Sequence, residues 1–316
     1  MSQALRQFQV FAKPIGPICN LGCDYCYYLN VDTLSPEETS YRMLDDVLEA
    51  YIVQHISTCP DAVIRFSWHG GEPCVLGLDY FGKIVALEGQ HCPPNRRIVN
   101  GIQTNGTLLD EAWCRLFAKE GFVVGVSLDG PQALHDLHRV TKDRKPTHEQ
   151  AVRGYTLLQQ HRVASEILCV VSAENVRHPL KVYRFFKQLK AQTITFLPLV
   201  EPRPETRGGV SNRTVPPEAF GTFLCTIFDE WQSQDIGRIK VQIFEEAART
   251  AFGQAHTLCI FRPSCGDVPV VEHNGDFYSC DHFVEEQHRL GNIRETRLVD
   301  LLENPMQRAF GQAKVD

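Results

Sequence analysis

Six short runs rich in β-branched and aromatic residues, separated by stretches of helical periodicity, constrain this chain more than any other feature. Phe8 to Ile15, Ala62 to Trp68, Arg97 to Gln103, Phe122 to Leu128, Glu166 to Ser172 and Thr193 to Leu199 each read as a buried strand ending in a polar or Gly-containing loop. Between them, Leu44, Val47, Leu48, Tyr51, Ile52 and His55 recur at helical spacing. Leu108 to Lys119, His148 to His161 and Leu180 to Leu189 repeat that pattern. Such alternation predicts an α/β fold built on a parallel sheet with right-handed crossovers. In that architecture the functional residues collect in the loops at the carboxyl ends of the strands.

Those loops hold the chain's unusual residues. Cys19 to Cys26 follows the first strand, Gly70-Gly71-Glu72-Pro73 the second, Thr104-Asn105-Gly106 the third and Asp129-Gly130-Pro131 the fourth. The alternation then stops. Glu201 to Pro217, rich in Pro, Gly and Arg, reads as an exposed excursion, followed by a helix through Phe220, Phe223, Leu224, Ile227 and Trp231. Val268 to Glu272 and Phe277 to Cys280 are two β runs joined at Asn274-Gly275, a tight-hairpin signal. This change of architecture sets the expected domains at residues 1–235 and 236–316.

A net charge of −6 argues against a general phosphate-binding surface, so no nucleic-acid partner is expected. No run approaches the roughly 18 apolar residues that a membrane span requires, and Met1 to Pro17 lacks a long apolar core behind a basic start. A cytoplasmic protein with no membrane partner is therefore expected. In such a chain, twelve cysteines point to metal or redox chemistry rather than disulfides.

Cys19, Cys23 and Cys26 have the spacing C-x3-C-x2-C. Three close thiolates can wrap one face of a compact metal cluster and leave one metal position open. A closed zinc site would need a fourth ligand, for which His55 and His69 are the candidates. With an aromatic residue just before its last cysteine, the motif resembles the radical S-adenosylmethionine (SAM) superfamily. The resemblance implies a 4Fe-4S cluster whose open iron chelates SAM, and a partial (β/α)6 barrel. It also assigns Gly70, Gly71 and Glu72 to the SAM amine, places Ser127 near SAM, and offers Arg139 to the SAM carboxylate. His69 is a candidate substrate contact, with a core residue as its alternative.

Near the carboxyl end, Cys259-x5-Cys265-x9-Gly275-x4-Cys280-Asp281 closely resembles the opening of a SPASM domain, the auxiliary-cluster module of peptide-modifying radical SAM enzymes. Together with Asp281-His282-Phe283 and Leu290-Gly291-Asn292-Ile293, the motifs are similar to the anaerobic sulfatase-maturating enzymes over nearly the whole chain. That similarity implies a protein or peptide substrate, a sulfatase, whose Cys or Ser is oxidised to formylglycine. Asp281 would be the base, with Tyr28 near it. Cys259, Cys265 and Cys280 would hold an auxiliary 4Fe-4S cluster, and flavodoxin or ferredoxin would donate electrons.

Two departures accompany the resemblance. His69 stands where the family usually has glutamine, and no cysteine follows Cys280. The auxiliary cluster then lacks its fourth ligand, so the SPASM-like region is expected to be incomplete, the chain carboxy-terminally truncated and its turnover impaired. Cys59, Cys74, Cys92, Cys114, Cys169 and Cys225 fit neither motif. The alternative functions are a radical SAM maturase that crosslinks ribosomal peptides or forms thioethers in them, and a noncatalytic iron-sulfur or zinc-binding regulator.

Overall fold

The computed structural model describes residues 3–5, 7–28, 41–203 and 209–314. All six expected strands form: β1 (Phe11–Lys13), β2 (Val63–Trp68), β3 (Arg97–Thr104), β4 (Val123–Ser127), β5 (Ala164–Val171) and β6 (Thr193–Pro198). They lie side by side in chain order, each parallel to the next, as right-handed crossovers demand. The crossovers are carried mainly by α1 (Asp45–Thr58), α2 (Leu78–His91), α3 (Glu111–Glu120), α4 (Gln132–His135), α5 (His148–Gln160) and α6 (Pro179–Gln188). The short strand β7 (Lys240–Val241) extends the parallel edge after α7 (Pro217–Gln234), and α8 (Gln242–Ala251) follows it. Residues 204–208 of the expected excursion lie outside the described residues.

The carboxy-terminal hairpin does not form a layer of its own. Its first strand, β8 (Val270–Glu272), pairs in parallel with β1, and β9 (Asp276–Tyr278) and β10 (Arg289–Asn292) continue the sheet antiparallel. One ten-stranded sheet results, in the order β10-β9-β8-β1-β2-β3-β4-β5-β6-β7. The hairpin loop spans three residues, His273 to Gly275. Gly275 N donates to Glu272 O at 2.9 Å, and Gly275 adopts φ +91°, a left-handed conformation glycine takes without penalty. Two short helices, α9 (Leu298–Leu302) and α10 (Pro305–Gln312), complete the described chain.

Helix α1 buries Val47, Leu48, Tyr51, Ile52, His55 and Ile56, close to the face expected. Leu44 departs from it: it occupies the cap position before the first turn and is exposed. His55 is also not a metal-ligand candidate, because its Nε2 lies 3.1 Å from Arg65 O and its ring packs against Tyr51 and Phe66 in the core.

Beneath α2, Trp68 Nε1 donates to Asn100 Oδ1 at 2.7 Å, and Asn100 Nδ2 donates to Glu88 Oε2 at 2.7 Å. Burial pushes the Glu88 carboxyl up to about 8 from an ordinary 4.5, and its Oε1 has no hydrogen-bond partner. Below pH 4.5 the folded and unfolded chains both hold this proton. Between 4.5 and about 8 the unfolded chain releases it first, so stability falls as pH rises. Glu88→Gln keeps an acceptor for Asn100 and removes that slope. The variant should be more stable than wild type by roughly 2–4 kcal/mol at pH 8, with little difference at pH 4.5, measured by urea unfolding.

Candidate active site

The chain leaves β1 at Lys13 and turns directly into the cysteine loop. Cys19, Cys23 and Cys26 line one small concavity with Pro17, Leu21, Tyr28 and Gly71. The loop is fixed from several sides. Gly22 N donates to Val140 O at 2.8 Å and Asp24 N to His138 O at 3.0 Å, while the Asp24 carboxylate pairs with Arg144. Asn105 Nδ2 donates to Asn20 Oδ1 at 2.9 Å, and Asn20 Nδ2 donates to Thr107 Oγ1 at 2.9 Å, so the loop after β3 grips the cysteine loop. From the loop after β2, Gly71 N and Glu72 N donate to Gly16 O and Ile18 O at 2.7 and 2.9 Å.

Burial pushes the Cys19 thiol up to about 12 and the Cys23 thiol up to about 11. Arg139 opposes the rise at Cys23, but the protein supplies too little positive charge to make these groups thiolates. A bound metal group provides the missing charge and ionises its coordinating thiols outright. Among the described residues, no three His, Cys, Asp or Glu side chains close on a point suited to a single metal ion. The three thiols instead border a shared space, the arrangement a multinuclear cluster requires.

The other sequence-derived residues fall around this space in distinct ways. Gly70 adopts φ +121°, and both glycines approach the backbone of residues 16–18 closely. Glu72 is fully buried. Its carboxylate accepts from Cys74 N at 3.0 Å, Thr104 Oγ1 at 2.7 Å and Asn105 N at 2.7 Å. Its side chain therefore ties the loop after β2 to the loop after β3. Ser127, at the end of β4, accepts from Gln103 Nε2 at 3.1 Å. Arg139 Nε donates to Asp129 Oδ2 at 2.9 Å, and its guanidinium lies 5.4 Å from the Tyr25 ring centre. Tyr25 OH donates to the same Asp129 oxygen, and Val170 N donates to the other at 3.0 Å. Asp129 is thus the buried anchor of Arg139, a role its place in the loop after β4 does not reveal.

A second buried group gathers where β1, β2 and β8 end together. The β1–β8 register sets Lys13 opposite Glu272, and His69 N donates to Ala12 O at 2.7 Å, placing His69 beside the same strand end. The hairpin returns Asp281 to this point. Its carboxylate forms an ion pair with Lys13 through Oδ1, and Tyr27 OH donates to Oδ2 at 2.6 Å. Tyr28 OH donates to Glu272 instead, while the Lys13 ammonium sits 3.6 Å from the Tyr28 ring centre. Burial alone would raise the Asp281 carboxyl, but Lys13, His69 and Tyr27 hold it at about 2. Burial lowers His69 to about 4 despite Asp281, so its imidazole is neutral at pH 7, stacked on Phe11 at 4.0 Å between ring centres. Lys13, Tyr27 and Glu272 were not singled out from the sequence. The available signal was a lone lysine closing an apolar strand, directly before Pro14.

Cys259, Cys265 and Cys280 also converge. Burial pushes the Cys280 thiol up to about 11, and both Cys259 and Cys265 add to the rise. Helix α10 braces them: buried Gln307 donates through Nε2 to Gly266 O at 2.8 Å and Ser279 O at 3.1 Å, bridging the Cys265 loop to the hairpin end. Lys314 Nζ donates to Cys259 O at 2.6 Å, Ile260 O at 3.0 Å and Arg262 O at 2.8 Å.

The Radical SAM superfamily model matches residues 14–186, and the SPASM model, described as an iron-sulfur cluster-binding domain, matches residues 259–316. The serine-type anaerobic sulfatase-maturating enzyme of Bacteroides thetaiotaomicron is 38% identical over 318 residues, 96% of this chain and 77% of the relative. The chain belongs to the anaerobic sulfatase-maturating family of radical SAM enzymes. The cysteine-type enzyme of Clostridium perfringens is 32% identical over 94% of this chain and 80% of its own length. A solved structure, native anSMEcpe with bound AdoMet and Cp18Cys peptide, superposes with a TM-score of 0.89 at 31% identity, covering 98% of this chain and 83% of that one. A SPASM-type radical SAM core accounts for both cysteine groups in one chain. The first three thiols lie within the Radical SAM match and the second three within the SPASM match.

Proposed function

We propose that this chain oxidises a Cys or Ser side chain of a protein substrate, within a sulfatase, to formylglycine. The observation that carries the reading is the position of Asp281. It is a buried carboxylate held by Lys13 through Oδ1 and Tyr27 through Oδ2, Lys13 lies over the Tyr28 ring, and Tyr28 lines the cavity bordered by Cys19, Cys23 and Cys26. Cys19, Cys23 and Cys26 would hold the cluster, which with SAM bound would supply radical chemistry for hydrogen abstraction at the substrate Cβ. Asp281 takes the substrate's thiol or hydroxyl proton, and the excess electron leaves toward the Cys259, Cys265 and Cys280 group. Ser gives the aldehyde directly, whereas Cys gives a thioaldehyde that water converts to the aldehyde with release of hydrogen sulfide. Tyr27 and Tyr28 orient the carboxylates of Asp281 and Glu272. Neutral His69 contacts the substrate beside the base. Gly70, Gly71 and Glu72 belong to the loop for the SAM amine, where Glu72 acts as its brace, Ser127 lies near SAM and Arg139 serves its carboxylate.

In this reading residues 1–235 form the SAM core and residues 236–316 the auxiliary-cluster region, with β7 and α8 completing the core's edge. An electron donor of the flavodoxin or ferredoxin class and a cytoplasmic location complete the proposal. Among the described residues no helix is long and apolar enough to cross a membrane.

The test is anaerobic reconstitution followed by incubation with sulfatase-derived Cys and Ser peptides, with aldehyde detected by mass spectrometry. Asp281→Asn should lower aldehyde formation about 100-fold or more, because general-base assistance is lost, while SAM cleavage in the presence of peptide persists. A wild-type product carrying a crosslink or thioether and no aldehyde would sink the reading.

A further inference from the structure

Lys13 is the least expected residue of the site. Its side chain is 1% exposed, at the end of a three-residue strand, between the Asp281 carboxylate and the face of the Tyr28 ring. An ammonium withdrawn from water is retained at a large desolvation cost, and an apolar residue of similar length would close the strand end more cheaply. Packing therefore does not account for it.

The geometry does. Asp281 stands at the end of a hairpin, just after a cysteine that the cluster would hold, and touches β1 through Lys13. Tyr27 fixes one carboxylate oxygen. The other, Oδ1, carries the ion pair with the Lys13 ammonium. Lys13 also lies over Tyr28, so it couples the base to the wall of the cavity that the three thiols share. Glu272, its register partner, is engaged by the Tyr28 hydroxyl and lies 3.6 Å from His273 Nδ1.

We propose that Lys13 is the positioning residue of the substrate base: its ammonium pins the Asp281 carboxylate against the end of β1, beside the Tyr28 ring that borders the cavity. This rests on the reading of Asp281 as that base. Hydrogen abstraction from the substrate needs no base, whereas the following loss of a proton and an electron does. Misplacing Asp281 should therefore separate the two events, a signature that a merely structural lysine would not produce.

The experiment compares reconstituted wild type, Lys13→Met and Lys13→Arg with Ser and Cys peptides, measuring deoxyadenosine, aldehyde, peptide KM and iron content on the same samples. In Lys13→Met, iron content and KM should stay within about 2-fold of wild type and deoxyadenosine within about 5-fold, while aldehyde falls about 100-fold. The ratio of deoxyadenosine to aldehyde then rises at least about 20-fold, and Lys13→Arg recovers part of the loss. An unchanged ratio, whether both products persist or both fall together, overturns the inference. Should Lys13→Met fail to hold iron, Lys13→Gln, polar and of similar reach, decides on the same ratio. Wild type that makes no aldehyde from either peptide overturns the oxidation reading itself, a different result from an unchanged ratio in the variants.

Discussion

Cys23→Ala is expected to lose the SAM-binding cluster and all deoxyadenosine formation while the chain stays folded. Among the described residues, Cys19, Cys23 and Cys26 are the only cysteines bordering the cavity there, so no neighbouring sulfur can replace the one removed. Two thiolates leave too few ligands to hold a cluster that three barely enclose. Iron and sulfide should fall by about four atoms each per chain, and SAM cleavage should drop to background. The loop itself should survive, because its anchors are the backbone bonds to Val140 and His138 and the Asn20–Asn105 pair, none of which uses Cys23 Sγ. Cys169→Ala provides the contrast: that thiol is buried in β5 and does not border the cavity, and its loss should leave iron content unchanged. Equal iron in wild type and Cys23→Ala would remove the basis for a cluster at this place.

Much of the fold was legible because its signals are local. Each of the six parallel strands is a short apolar run, and the helical stretch between successive runs is what a parallel pair of neighbours requires. The site was legible where chemistry is rare: thiols at close spacing, paired glycines, a carboxylate next to a cysteine. What stayed hidden depends on strand adjacency. That β8 pairs with β1 cannot be read from either segment alone, yet this pairing sets Lys13 opposite Glu272 and brings Asp281 onto them. The same limit applies to the tyrosines. Tyr27 and Tyr28 are neighbours in sequence, and only the turn after Cys26 decides that Tyr27 reaches Asp281 while Tyr28 reaches Glu272. Glu72 illustrates a further ambiguity: an acceptor beside two glycines reads as a ligand group, while its carboxylate accepts from Cys74, Thr104 and Asn105 and braces the loops behind them.

The two glycines of that loop carry the second large effect. At Gly71, an added Cβ would lie 2.1 Å from Ile18 O, 2.5 Å from Ile18 C and 2.7 Å from Pro17 O. All three are backbone atoms of the segment entering Cys19, so no side-chain rotation relieves the contact. The same approach carries the bonds from Gly71 N to Gly16 O and from Glu72 N to Ile18 O, and a shift large enough for a methyl group breaks both. Gly71→Ala should therefore displace the cysteine loop by about 1 Å, enough to cost about 100-fold in a reaction that depends on near-contact geometry. Cluster content should fall in parallel, because Pro17 and Gly71 border the space the cluster would occupy. Gly82→Ala separates this from a general effect of added bulk: nothing lies within 4 Å of its added Cβ on α2, and the variant should gain roughly 0.5–1 kcal/mol from the lower entropy of its unfolded chain. A Gly71→Ala enzyme with wild-type iron content and deoxyadenosine rate would show that the loop after β2 stands clear of the cysteine loop, and the packing described for the SAM surface would be wrong.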